Sequence, residues 1–145
     1  MSTGIKFTGR EMRYIALFES ITGANVKDCI IDEELDRILV VVKQGEMGLA
    51  IGKGGKNIHL LEKMTGKRHE LIEHSEDSAQ FIKNALHPAM VKEIRITKRL
   101  DGKMMAVVSV DPRDKGVAIG RNGKKAERIR FLAKRYFDIQ NVSIL

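Results

Sequence analysis

The chain has no tryptophan, one cysteine and two prolines in 145 residues, and only 5% of its side chains are aromatic. Each scarcity removes a class of reading. With Cys29 alone, neither an intramolecular disulfide nor a cysteine-cluster metal site is available, and the apolar Ile30 and Ile31 that follow it suit a buried structural thiol. So few aromatics disfavour a sheet-borne platform for stacking bases. No apolar run approaches the roughly 18 residues that cross a bilayer. Met1–Arg10 lacks the basic start, apolar stretch and small-residue cleavage site of a signal peptide, so a cytoplasmic protein without membrane contact is expected. The four histidines, His59, His69, His74 and His87, have neither the paired spacing nor the acidic partners of a metal or acid-base site. No metal, cofactor or catalytic residue is expected.

What is present is a well-mixed globular composition, 43% hydrophobic and 31% charged, with no low-complexity tract. The net charge is +7, which suits an anionic partner. That excess is unevenly placed. Residues 1–75 hold 11 basic and 11 acidic side chains, whereas residues 76–145 hold 15 and 8. Within the first half the acids gather at Asp28, Asp32, Glu33, Glu34 and Asp36, and Lys53, Lys56, Lys63, Lys67 and Arg68 leave a local basic face interrupted only by Glu62.

The most informative feature is a repeat. Ala50-Ile51-Gly52-Lys53-Gly54-Gly55-Lys56 returns 68 residues later as Ala118-Ile119-Gly120-Arg121-Asn122-Gly123-Lys124, and positions 47–56 match 115–124 at six of ten places. The flanks repeat as well. Thr8 and Glu11 form a capping-box pattern ahead of Tyr14, Leu17, Phe18 and Ile21 at helical spacing, stopped by Gly23. Strands are expected at Val26–Asp32 and Arg37–Lys43 around a turn at Glu33–Asp36, then a helical turn at Glu46–Ile51. A helix at Asn57–Met64, with Ile58, Leu61 and Met64 on one face, and a strand at His69–His74 complete the first copy.

In the second copy Ser75 is the expected N-cap, with Glu76 and Asp77 in the first turn and Ala79, Ile82, Ala85 and Leu86 as the buried stripe. Strands Val91–Lys98 and Met104–Val110 flank a turn at Asp101-Gly102, and three residues inserted after that turn account for the offset changing from 65 to 68. After the loop, Ala126, Ile129, Leu132, Ala133 and Tyr136 mark the core face of a helix whose other faces carry Lys124, Lys125, Arg128, Arg130, Lys134 and Arg135, and Ile139–Leu145 is the last strand. Only the step from His74 to Ser75 separates the copies, so a rigid junction is expected.

Glycine lets a loop bring backbone N–H groups against a phosphate while the following helix adds its positive end, and Lys53 and Arg121 would supply charge. A nucleotide-hydrolysing P-loop fails in both copies, because Ala50 and Ala118 replace its first glycine and Asn57 and Lys125 its metal-binding hydroxyl. A dinucleotide fingerprint lacks its third glycine at Asn57 and its middle one at Asn122. The third class fits: the sequence resembles the KH family of RNA-binding domains, whose hallmark Ile-Gly-x-x-Gly-Lys is met by Ile51–Lys56 and Ile119–Lys124. Only 22 residues follow Gly123, room for one helix and one strand, which excludes the eukaryotic-type chain order.

The resemblance implies an α+β fold of two tandem type II (prokaryotic-type) KH domains, residues 1–74 and 75–145, each α-β-β-α-α-β with a three-stranded sheet covered by helices. Two such domains with almost no linker look most like the archaeal NusA-like transcription factors. That likeness implies single-stranded RNA as ligand, a role in transcription elongation, termination or antitermination, and RNA polymerase as a further contact for a monomeric protein. It extends to the tandem KH portion alone, since the N-terminal polymerase-binding and OB-type domains of the bacterial protein have no counterpart in the sequence. Ribosome-associated KH carriers hold a single KH domain beside other modules, unlike this tandem.

By this resemblance the RNA-binding residues are Ile51, Gly52, Lys53, Gly54, Gly55 and Lys56, then Ile119, Gly120, Arg121, Asn122, Gly123 and Lys124, joined by Lys125 and Arg128. Each loop would clamp about four nucleotides. Leu49, Ile51 and Ile58, with Val117, Ile119 and Ala126, suit either the wall of a base-binding groove or simple core packing. Arg128, Arg130, Lys134 and Arg135 suit either RNA or a solvated helix face. A phosphate-binding enzyme with similar loops, and a division of labour in which the neutral first half docks a protein, remain open.

Overall fold

Each half of the chain is framed by a β-hairpin and a third strand laid parallel to the hairpin's second arm. The computed structural model describes residues 7–145, in two units, one ending at Ser75 and the other beginning at Glu76. The first contains α1 (Gly9–Thr22), β1 (Val26–Asp32), β2 (Arg37–Val42), α2 (Met47–Ile51), α3 (Lys56–Thr65) and β3 (Arg68–Glu73). The second contains α4 (Ser78–Leu86), β4 (Val91–Lys98), β5 (Met104–Val110), α5 (Lys115–Ile119), α6 (Lys124–Phe137) and β6 (Ile139–Ile144). Both sheets are mixed, with the second strand central, antiparallel to the first and parallel to the third. Parallel neighbours need a crossover, and in each unit a pair of helices makes it. The glycine loop is the joint within that pair.

The hairpins repeat down to a register shift near the start of the first strand, between Val26 and Asp28 and again between Val91 and Glu93. The three extra residues do not sit together after the turn as expected. They divide evenly: β1 has 7 residues and β4 has 8, β2 has 6 and β5 has 7, and the turn at 33–36 becomes 99–103. Lengthening both arms equally keeps the cross-strand pairing in step, which a one-sided insertion would not.

Apolar burial against the helices holds each sheet. Phe18, Ile38, Val40, Val42, Ala50 and Leu61 form one core cluster. The run Ile38–Val42 is buried throughout, so both faces of β2 are covered, as its unbroken apolar sequence suits. In β5 burial alternates, with Ala106, Val108 and Val110 inside and Met105, Val107 and Ser109 half-buried. From α6, Ala126, Ile129, Leu132 and Ala133 are buried, and Phe81 of α4 packs edge-on to Tyr136 with ring centroids 5.3 Å apart. Tyr136 itself is only half-buried.

Three local expectations are corrected. Ser75 is not the cap of α4 but a buried residue ahead of it; Asp77 caps the helix, its carboxylate accepting from the Gln80 N–H at 3.3 Å. A carboxylate satisfies that orphan donor while complementing the helix's positive end. The Thr8 hydroxyl bonds to the Glu11 carboxylate, leaving no side-chain bond to the first backbone N–H groups of α1. Met64 is 57% exposed despite its helical spacing from the buried Leu61, near the end of α3 at Thr65.

Two outcomes follow from this packing. Leu61→Ala should destabilise the first unit by about 2–5 kcal/mol in urea unfolding, whereas Leu60→Ala, at a side chain 41% exposed, should cost under about 1 kcal/mol. Burial, reinforced by neighbouring Asp28, pushes the Cys29 thiol up from its ordinary 9.0 to about 12. The folded state therefore holds the proton longer than the unfolded one, so stability falls as pH climbs from about 9 towards 12. Cys29→Ser should flatten that alkaline loss in a pH series of thermal unfolding.

Candidate nucleic-acid interface

Four residues turn each short helix into the next, and three of the four have positive φ. Gly52 lies at φ 78°, ψ 166° and Gly120 at φ 80°, ψ 173°, a region essentially closed to side chains. The third positions, Gly54 at φ 63° and Asn122 at φ 54°, and the fourth, Gly55 at φ 78° and Gly123 at φ 72°, are left-handed. The two loops are thus one conformation written twice. Asparagine is among the few residues that enter this region readily, which explains why Asn122 can stand where the first copy has Gly54. The first glycine is doubly constrained. A Cβ on Gly52 would come within 2.8 Å of the Asn57 side chain and 3.1 Å of its backbone N, and one on Gly120 within 2.6 Å of Lys125 Cβ.

Hydrogen bonds close the loop from inside. Gly52 N–H donates to Gly48 O at 3.0 Å and Gly55 N–H to Gly52 O at 3.1 Å, with Gly120 to Gly116 at 2.9 Å and Gly123 to Gly120 at 3.1 Å in the second copy. Lys56 and Lys124 donate to the carbonyls of Lys53 and Arg121. The N–H groups of Lys53 and Gly54, and of Arg121 and Asn122, stand ahead of these bonded turns. Two successive amides followed by the N-terminus of α3 or α6 are suited to an anion.

A carboxylate that sequence reasoning passed over places each helix pair. Glu46 Oε1 accepts from the Asn25 N–H at 2.7 Å, and Asp114 Oδ2 accepts from the Met90 N–H at 2.9 Å. The same backbone segments are bridged a second time, Lys43 N–H to Asn25 O and Asp111 N–H to Met90 O, both at 2.9 Å. Each carboxylate precedes the helix that leads into the loop and grips the residue that leads into the sheet. The only sequence sign was an acid at the same place in both copies, Glu46 and Asp114, 68 residues apart.

The cations divide by role. Lys53, Lys56 and Arg121 are exposed and make no ion pair among the described residues. Lys67 instead pairs with Asp36 of the hairpin turn, which takes it out of the basic face expected beside the first loop. Lys124 is 3.6 Å from Glu127, and Arg128 is half-buried. Lys125 turns away from the loop, its ammonium donating to Leu86 O at 3.3 Å and His87 O at 2.9 Å at the end of α4, where carbonyls favour a cation. Arg130 Nε reaches Val142 O of β6 at 3.0 Å.

Among the apolar candidates, Leu49, Ile51 and Val117 are exposed, and Ile58 and Ile119 are half-buried. Ala126 is 3% exposed and belongs to the core rather than to a groove wall. Exposed apolar side chains on both helices before the loops are the arrangement a base-binding groove needs, and burial does not account for them. No group of three or more His, Cys, Asp or Glu among the described residues could hold a metal, and none of the described helices is long and apolar enough to cross a membrane.

This element order, with Ile-Gly-x-x-Gly-Lys between the crossover helices, defines a tandem KH-domain architecture. A KH domain family model matches residues 12–96, and a model for the NusA-like second KH domain matches 78–144. A protein of Halococcus morrhuae named "Probable transcription termination protein NusA" is 41% identical over 133 residues, 92% of this chain and 93% of its own. One of the same name from Methanococcus vannielii is 38% identical over 141 residues, 97% and 80% of the two chains. A solved structure titled "Crystal structure of APE1850" superposes with a TM-score of 0.79 at 39% identity, covering 96% of this chain and 100% of that one. The chain belongs to the NusA-like family of KH-domain proteins.

The loop geometry makes an asymmetric prediction. Gly54→Asn, copying Asn122, should change the unfolding free energy by no more than about 0.5 kcal/mol. Gly52→Ala or Gly120→Ala should cost about 2 kcal/mol or more in the same measurement, from positive φ and the close approach together.

Proposed function

We propose that the chain binds single-stranded RNA through both glycine loops and acts in transcription, at elongation, termination or antitermination, without catalysing a reaction. One observation carries the reading: two loops of the same backbone conformation each present a pair of amides, a cation and a helix N-terminus. In this reading backbone phosphates sit on Gly52–Gly55 and Gly120–Gly123, with Lys53 and Arg121 beside them, while bases lie over Leu49 and Ile51 or Val117 and Ile119. Lys56 and Lys124 follow at the helix starts. Lys125 serves the second loop by anchoring α6 to the end of α4, and Asn57 does the corresponding work with a bond from its Nδ2 to Leu49 O at 3.0 Å. The names of the relatives support the transcription role, and RNA polymerase is the partner that role implies.

The test is a set of loop variants in the full chain. Lys53→Asp with Gly54→Asp, Arg121→Asp with Asn122→Asp, and the combination are compared for single-stranded RNA affinity. The backbone accepts these changes, since Asp36 and Asp138 already occupy φ 51° and 55° in this chain. Each pair should weaken binding and the combination abolish it, with circular dichroism unchanged. The slope of log affinity against log salt should also flatten by about 0.7 for each phosphate no longer neutralised. Undiminished affinity in the combined variant would refute the loop mechanism, and nucleotide turnover by the pure protein would favour an enzyme. Loss of polymerase capture without loss of RNA binding in the first-loop pair would assign that loop to protein docking.

A further inference from the structure

Helix α6 carries an exposed aromatic that core packing does not use. Phe131 is 51% exposed, and Arg135 lies over its ring, 5.5 Å from the centroid. Lys124, Arg128, Phe131 and Arg135 recur at helical spacings of four, three and four, so they form one stripe along the helix. That stripe begins at the last residue of the loop motif. Phe131 lies seven residues on, about 10 Å along the axis. Glu127, beside the stripe, is 3.6 Å from Lys124, and the helix otherwise presents Arg130 and Lys134 on its exposed surface.

We propose that RNA leaving the second loop continues along this stripe and that a base stacks on the Phe131 ring. This rests on the second loop binding RNA. Three observations select RNA as the occupant. The surface is continuous with the loop through Lys124, its half of the chain holds 15 basic against 8 acidic side chains, and an aromatic set among cations is how single strands are held without sequence readout. Arg135 occupies one face of the ring and adds a cation beside a stacked base. The first copy has Lys63 at the corresponding position, so the stacking site belongs to the second unit alone.

The experiment compares full-length wild type with Phe131→Ala, Phe131→Leu and Phe131→Trp by fluorescence anisotropy. The probes are labelled random single-stranded RNAs of about four and about twelve nucleotides, the shorter spanning the loop alone. Phe131→Ala and Phe131→Leu should weaken the longer RNA by about fivefold to a hundredfold. Phe131→Trp should bind it at least as well as wild type, and the shorter RNA should bind all four alike. Wild-type affinity of Phe131→Ala for the longer RNA overturns the proposal, as does equal binding by Phe131→Leu and wild type, which would mean apolar packing without stacking. Loss of polymerase capture with RNA affinity intact would make the patch a protein-docking site and also overturn it. The Arg121→Asp, Asn122→Asp pair, run alongside, separates the two claims: its failure to weaken either RNA refutes the loop, while an inert Phe131 with a sensitive loop refutes only the stacking site.

Discussion

Everything about the proposed interface depends on three positive φ angles in four residues. A chain that leaves one helix and enters another within so short a span can turn sharply only through left-handed backbone, and side chains resist that conformation. Gly52 and Gly120 meet the strictest version of the demand, since Asn57 or Lys125 also fills the space a Cβ would take. The reward is geometric. The turn holds two consecutive amides outside the helices' own hydrogen-bonding and places them at the start of α3 or α6, where backbone dipoles already favour an anion.

The rest of each unit holds that turn in place. The parallel third strand requires a crossover, the crossover requires the helix pair, and the helix pair presents the loop at its joint. Glu46 and Asp114 bind the start of each pair to the residue before the first strand. The two copies share this frame and differ in what they add to it. The first surrounds its loop with a balanced surface in which Lys67 is tied to Asp36, and the second extends its loop into a basic helix carrying Phe131. A duplicated clamp with unequal surroundings is suited to unequal affinities for one strand.

The sheets and helices were legible because local signals and burial agree: Val26–Asp32, Val91–Lys98 and Met104–Val110 end where their apolar patterns end. Asp77 was missed as a cap because Ser75 offers the same chemistry two residues earlier, and burial of Ser75 decides between them. Met64 was misplaced for a related reason. Periodicity states which residues share a face but not how far the neighbouring element extends over it. The loop residues themselves were read from their repetition. What repetition could not show was the destination of Lys125, whose ammonium crosses to the end of α4, or the shared role of Glu46 and Asp114, which requires knowing that residues 21 and 24 positions apart meet.

The central claim is that backbone amides of the two loops are the points where RNA phosphate is held. At 16.3 kDa the protein is within easy reach of amide-resolved NMR. Titration with single-stranded RNA should shift the N–H resonances of Lys53, Gly54, Arg121 and Asn122 more than those of the sheets, saturating together with the bound RNA. RNA that binds while those four amides stay unmoved, with the shifts falling on another surface, would contradict the account.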